Sequence, residues 1–416
     1  MKIDSQWTRK TLLERFLRYV RIETTSDRHA DETPSTECQW DLLKLLEEEL
    51  EALGIRDISL DDHGYLIARI PPTQDAADAP TIGFMAHVDT SSDAPGKGVE
   101  PILHEDYDGT PIILEGGTVI DPKEFPDLSD YVGETIITSD GTTLLGADDK
   151  AGIAEIMTAV AWIMDHPEFS HGEIEVIFTP DEETGKGLDL FPVEKCRSIY
   201  SYTFDGDGNG NVESECFFGY QAVVRFTGIS IHPGTARGKL VNAATMASNF
   251  VTLLPQNESP EATDGRYGFY LPLEIKGGVA DAVLEILIRD FEYSEIERRS
   301  EVLRDLGKAI EGKFPGGKVD VEIKKQYDNM RAYMDKEPRG MDLLREAVRR
   351  AGTEPVEKII RGGTDGARLS EMGIPTPNVF TGGANYHGKR EWIVLSLMEK
   401  AARTVLNLVD LWAAER

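Results

Sequence analysis

Glu182 and Glu183 stand side by side just after a run with the alternation of a strand, in which Ile174, Val176 and Phe178 share one face and Thr179-Pro180-Asp181 makes a turn. Carboxylates delivered at the carboxyl end of a strand lie where open α/β sheets bind their ligands. Adjacent residues there point in different directions, so one acid can hold a divalent ion while its neighbour faces a reacting water. Taken alone, the pair is also what an acidic surface turn looks like. Other clusters of acid and histidine, each closing an apolar run, favour the chemistry.

Thr81 to Ala86 has the apolar character and length of a short buried strand, and it ends in His87-Val88-Asp89-Thr90. In an extended segment His87 and Asp89 project from the same side. A histidine held by a carboxylate has its tautomer fixed and its free nitrogen made a better metal ligand. Asp148 and Asp149 sit where Leu144-Leu145-Gly146-Ala147 feeds a helix marked by Ile153, Ile156, Met157 and Val160. Asp149 suits a helix N-cap as well as any chemical role, whereas Asp148 is free to face the strand ends. A strand from Ser198 to Phe204 closes in Asp205, and one from Ile374 to Val379 leads to the loop that carries His387. The run Asp205-Gly206-Asp207-Gly208-Asn209-Gly210 imitates a calcium loop. Its twelfth position is Cys216 rather than Glu and a strand precedes it, so the EF-hand reading fails and Asp205 alone fits the recurring pattern.

Two histidines and three carboxylates, His87, Asp148, Glu183, Asp205 and His387, form a nitrogen and oxygen set suited to zinc or a similar divalent ion. Five ligands exceed the need of one open tetrahedral site. One shared carboxylate would give two ions three protein ligands each and leave room for a bridging water, whose proton Glu182 could take.

The elements that must carry these residues can be read from the same chain. Leu13, Phe16, Leu17 and Val20, and then Leu42, Leu43, Leu46 and Leu50, have helical spacing. A Gly- and Pro-rich stretch from Ser91 to about Thr142 reads as a β-rich insertion. From about Phe217 the texture changes to strands at 220–226, 283–291 and 319–324 and helices at 241–254 and 294–313. That makes an α+β unit of small-domain size, and metal-type residues resume only after it. The expected architecture is α/β, with a mixed-sheet metal-binding catalytic domain over 1–216 and 329–416 and a smaller inserted domain over 217–328. The last helix places Met398, Ala401, Ala402, Val405, Leu408, Val409 and Trp412 on one stripe.

At 416 residues the chain fits two domains. Its 44 Lys and Arg against 74 Asp and Glu leave a formal net charge of −30, which argues against nucleic acid or an anionic membrane as partner. Cys38, Cys196 and Cys216 are scattered and give neither a disulfide framework nor a thiolate zinc site. With no apolar signal core and no apolar run near ~20 residues, a cytoplasmic protein is expected. A P-loop and a Gly-x-Ser-x-Gly elbow are both absent from the sequence, against a nucleotide enzyme or a serine hydrolase. A non-catalytic calcium-binding protein would have no use for Glu182.

The segments His-Val-Asp-Thr, Gly-Ala-Asp-Asp-Lys-Ala-Gly, Thr-Pro-Asp-Glu-Glu, Ile-His-Pro-Gly-Thr-Ala-Arg-Gly, Ile-Arg-Gly-Gly-Thr-Asp-Gly and Asn-Tyr-His-Gly-Lys occur in this order over nearly the whole chain. Together they resemble the dinuclear-zinc exopeptidase family that includes carboxypeptidase G, the carnosinases and the desuccinylases, and within it the tripeptide aminopeptidases. The resemblance implies two Zn2+ per chain, one on His87, Asp148 and Asp205 and the other on Asp148, Glu183 and His387. Asp148 would bridge them through a cis Asp148–Asp149 peptide bond, Asp89 would orient His87, and Glu182 would be the general base. The inserted domain would be a lid presenting His232, and Arg289, Asn329 and Arg361 match substrate-contacting positions. The implied partners are small peptides, with a dipeptidase or an acylase (amidohydrolase) on the same scaffold as the alternative. Self-association is left as monomer or homodimer through the lid.

Overall fold

Eight strands run through the larger part of the chain, which the computed structural model describes from residue 4 to 415. In spatial order they are Asp57–Leu60, Leu66–Ile70, Ile174–Thr179, Ile82–His87, Tyr200–Gly206, Asn378–Phe380, Asn211–Cys216 and Val356–Ile360. The Ile174–Thr179, Ile82–His87, Tyr200–Gly206 and Asn378–Phe380 strands run parallel, and antiparallel neighbours flank them. The sheet is therefore mixed.

Parallel strands covered on both faces read as continuous apolar runs, and Ile82–His87 and Ile174–Thr179 are buried at every position. The cost of burying the Glu175 carboxylate in this strand is met by Arg69 Nε at 2.8 Å and by Ser198 Oγ and two backbone N–H groups, as a buried carboxylate requires. The Ala147–Asp165 and Leu395–Ala413 helices pack on each other and against this sheet, which buries them nearly all round. Ser5–Tyr19 begins where the Asp4 side chain accepts from the N–H groups of Gln6 and Trp7, satisfying two donors that a helix start leaves open. Its Leu12 and Phe16 are fully buried.

The expected strand at 374–379 is shorter than read, Asn378–Phe380. Pro375 and Pro377 have no N–H to donate, although their carbonyls accept from the backbone N–H groups of Ser201 and Thr203. The 91–142 insertion does not stand alone. Its Ile102–His104 and Ile136–Thr138 strands join Gly383–Ala384 and Trp392–Val394 in a second, four-stranded sheet over a core that includes Ile120, Leu128, Ile136 and Trp392. The hairpin bearing His387 is thus tied to the insertion. Among the described residues no helix is long and apolar enough to cross a membrane.

The second unit comprises Glu215–Asn329 and Ile359–Gly363. It takes in Asn329 and the segment with Arg361, both assigned to the catalytic domain by the 217–328 boundaries. Four antiparallel strands, in the order Phe269–Gly277, Asp281–Asp290, Phe218–Thr227 and Lys318–Tyr327, pack one face on the Ala243–Leu253 and Tyr293–Lys313 helices. Ala222, Val224 and Phe226 alternate into this core. The Phe269–Gly277 strand was not among the expected elements. It is an edge strand, half exposed, whose register slips between Pro272 and Glu274, and an interrupted edge carries a weak sequence pattern.

Candidate metal centre

Neighbouring strands lie about 5 Å apart, so three parallel neighbours that each end in a polar side chain bring those groups together. Ile174–Thr179, Ile82–His87 and Tyr200–Gly206 are such neighbours. Their carboxyl ends carry Glu182 and Glu183, His87, and Asp205. The start of the Ala147–Asp165 helix adds Asp148, and the loop over 385–391 adds His387.

Asp148 offers one oxygen to each histidine. His87 Nε2 lies 3.0 Å from Asp148 Oδ1 and 3.6 Å from Asp205 Oδ1. His387 Nε2 lies 3.1 Å from Asp148 Oδ2 and 3.0 Å from Glu183 Oε2. The five side chains thus sort into two groups of three that share Asp148. The other nitrogen of His87, Nδ1, is 3.0 Å from the Asp89 carbonyl oxygen and 3.2 Å from Asp89 Oδ1, which leaves Nε2 facing the acids. Asp89 also accepts the backbone N–H groups of Glu182 at 3.0 Å and Glu183 at 3.2 Å. One buried carboxylate therefore holds both the histidine and the acidic turn. The Asp148–Asp149 peptide bond is cis.

Asp149 also comes within 4.8 Å of His87 and Asp205. Its geometry differs from that of a ligand. Oδ2 accepts the His87 backbone N–H at 3.2 Å, and Oδ1 points toward Gly152, where a Cβ would come within 2.6 Å of it and 1.9 Å of the Phe204 carbonyl oxygen. Nor does the Asp149 side chain cap the helix, since Oδ2 is taken by the His87 N–H and Oδ1 is buried without a hydrogen-bond partner.

Burial works against charge on Asp148, but hydrogen bonds from His387 and His87 outweigh it and hold its carboxyl below the ordinary range. Burial, then Asp148, pushes the Glu183 carboxyl up to about 8, and burial pushes Asp205 up to about 6 against the pull of His87. Hydrogen bonds with Asp148 and Glu183 raise His387 to about 11. Burial works to lower His87, yet its bonds with Asp148, Asp205 and Asp89 leave it well above its ordinary value. Among the described residues no Lys or Arg is ion-paired with Asp148, Glu183 or Asp205; their partners are the two imidazoles. A crowd of acids balanced only by histidine calls for added positive charge. Glu183 Oε1, buried and without a hydrogen-bond partner, suits a cation as well.

The turn that presents Glu182 is held by residues the sequence did not reveal. Asp181 has φ 60° and accepts from Ser35 N at 2.7 Å, from Ser35 Oγ and from Gln39 Nε2 at 2.7 Å. Asp365 accepts the Thr179 hydroxyl at 2.7 Å and lies so close to Gly187 that a Cβ there would come within 2.3 Å of its Oδ1. Burial drives the Glu182 carboxyl well above its ordinary value, against the pull of His87 and with the push of Asp205, Asp365 and Glu183. Only the Thr-Asp-Gly motif at 364–366 could have pointed to Asp365.

His232, Arg289, Asn329 and Arg361 belong to the second unit. His232 is exposed, and its Nδ1 accepts the Gly234 N–H at 3.1 Å. Arg289 is buried, donates to the Tyr220 and Ile288 carbonyls and stacks on Tyr327. Asn329 Oδ1 accepts the Cys216 N–H at 3.3 Å. Arg361 donates to the carbonyls of Thr263, Gly265 and Tyr267 and lies over Phe217 and Phe269, so its guanidinium pins the 263–267 loop.

The sequence pattern of peptidase family M20/M25/M40 matches residues 144–411. A protein named Peptidase T from a Geobacillus species is 45% identical over 96% of this chain and 98% of the relative. Among solved structures, the aminopeptidase PepT of Bacillus cereus matches with a TM-score of 0.73 at 24% identity, over 97% of this chain and 99% of the other. A tripeptidase of Staphylococcus aureus matches with a TM-score of 0.75 at 21% identity, over 97% and 98%. These two likenesses concern the fold.

Proposed function

The chain belongs to peptidase family M20/M25/M40, and we propose that it is a dinuclear-zinc aminopeptidase that releases the N-terminal residue of tripeptides in the cytoplasm. The observation that carries the dinuclear reading is the division of Asp148, one oxygen 3.0 Å from His87 and the other 3.1 Å from His387. Asp205 completes the first triad and Glu183 the second. The tripeptide reading rests on relatives named Peptidase T that match end to end.

When bound, the ions would supply Lewis-acid polarisation of the scissile carbonyl and a more acidic water. The rest of the reaction falls to the chain. Glu182, held at the turn by Asp89 and Asp181, removes the proton from the attacking water as the new C–O bond forms. It then gives that proton to the leaving amine as the C–N bond breaks. A carboxylate on the acidic turn, whose burial makes it bind a proton more readily, is suited to take a proton and return it. Asp89 keeps His87 Nε2 directed at Asp148 and Asp205. The second unit acts as a lid whose His232 donates to the oxygen that gains charge, with Arg289, Asn329 and Arg361 as candidate substrate contacts.

Hydrolysis of a panel of free and N-acylated tripeptides, together with dipeptides, tests the reading, with and without chelator. Release of the first residue from free tripeptides, abolished by chelation and restored by zinc, is expected. Preference for the acylated peptides would make the chain an acylase, and preference for dipeptides a dipeptidase. Full activity at one ion per chain would overturn the shared-carboxylate arrangement.

A further inference from the structure

The first turn of a helix leaves backbone N–H groups without internal partners. At the start of the Ala147–Asp165 helix those groups converge on a single side chain from the far end of the chain. Glu391 Oε2 accepts the N–H groups of Leu145 and Gly146 at 2.7 and 2.8 Å, and Oε1 those of Ala147 and Asp148 at 2.7 and 3.2 Å. Glu391 is 1% exposed, so three buried donors, a fourth that is partly buried and one buried carboxylate satisfy each other. The last of the four belongs to Asp148, whose side chain lies between the two histidines.

Glu391 also closes the loop that carries His387. Its own N–H donates to the Gly388 carbonyl at 3.2 Å, and Asn385 Nδ2 donates to the Arg390 carbonyl at 3.1 Å. Asn385 and His387 adopt φ of 57° and 61° within this loop, a conformation that non-glycine residues hold only where surrounding structure fixes it. The same short loop therefore delivers His387 to the Asp148 side chain and clamps the Asp148 backbone.

We propose that Glu391 is a positioning residue that sets the relative placement of Asp148 and His387, and hence the affinity for the ion held by Asp148, Glu183 and His387. It touches neither substrate nor ion and acts through the Asp148 backbone. The neighbouring triad draws His87 and Asp205 from strand ends that do not depend on this clamp. Loss of Glu391 should therefore act unequally on the two ions. This inference rests on the dinuclear reading above.

The test uses Mn2+ as probe on the metal-stripped full chain, with calorimetric titration and electron paramagnetic resonance of the loaded protein. Wild type is expected to bind two Mn2+ and show exchange coupling; one uncoupled ion would sink the dinuclear reading itself, independently of Glu391. Glu391→Gln keeps the shape but turns an amide NH2 toward two N–H donors. It should weaken the second Mn2+ by about 10- to 100-fold, as loss of a group supporting a ligand does. The first should change only a few-fold, and the exchange coupling should fall. Glu391→Ala should act in the same direction and further. Two ions at wild-type affinity with wild-type coupling in Glu391→Gln would overturn the proposal. So would an equal loss of both ions accompanying a lower melting temperature of the metal-free chain, or failure of the isosteric variant to fold, since each would make Glu391 a support of the fold at large.

Discussion

Glu182 and Glu183 are adjacent, yet the fold gives them different neighbours. Glu183 Oε2 stands 3.0 Å from His387 Nε2, whereas among the described residues no histidine lies within ion-pair distance of Glu182. The difference follows from a turn in which the Glu182 and Glu183 N–H groups are both bound to Asp89. Glu182→Gln should accordingly lower kcat by about 100-fold or more, the scale of losing a general base, with metal content unchanged. Parallel metal analysis and steady-state kinetics check it, and loss of metal together with activity would move Glu182 into the ligand set. The positions of the clustered acids and histidines could be read because each closes an apolar run. Glu391 could not be read in this way. Its partners are backbone groups 243 to 246 residues away, and a backbone N–H leaves no mark on residue type. Arg361 shows the converse, since a motif identifies the residue while nothing in the sequence marks the 263–267 carbonyls to which it donates.

At the scale of elements, the turn that carries Glu182 is held from outside its own strand. Gln39, the first residue of the Gln39–Ala52 helix, is fully buried and donates to Asp181 Oδ1 while its Oε1 accepts the Asp181 N–H at 3.3 Å. Gln39→Ala removes both bonds and leaves a buried carboxylate short of a donor, at a cost of about 1–3 kcal/mol. Urea unfolding should show that loss. Because Asp181 immediately precedes Glu182, kcat should fall as well, and unchanged kcat in a destabilised variant would limit Gln39 to stability. The central parallel strands were legible as unbroken apolar runs. What escaped were pairings and edges. The insertion's strands pair with the hairpin around His387, across more than two hundred residues, and such contacts have no local periodicity. The prolines at 375 and 377 shortened one strand, and the one at 272 disturbed another.

For the molecule as a whole, the five clustered side chains come from segments spread between His87 and His387, so bound ions would tie distant parts of the chain together. An ion that binds only the folded state at 100 times its Kd adds about 2.7 kcal/mol. Chelation should therefore lower the melting temperature, reversibly on zinc addition, and a melting curve indifferent to chelator would argue against ions at this centre. The second unit raises a different question, because the His232 that the proposal brings to the reaction lies outside the unit that holds the metal-type residues. Its local geometry suits the task. The Gly234 N–H donates to His232 Nδ1, so in the neutral imidazole the proton resides on Nε2, which is left as an outward donor. A donor directed at an oxygen that becomes negative stabilises the transition state more than the ground state. His232→Ala should then raise the barrier by about 2 to 4 kcal/mol, the range for removing one such donor, through kcat rather than KM and with metal content intact. His232→Gln, which retains an N–H, should recover part of the loss. Wild-type kcat in His232→Ala would return this histidine to an ordinary place on the surface of the second unit.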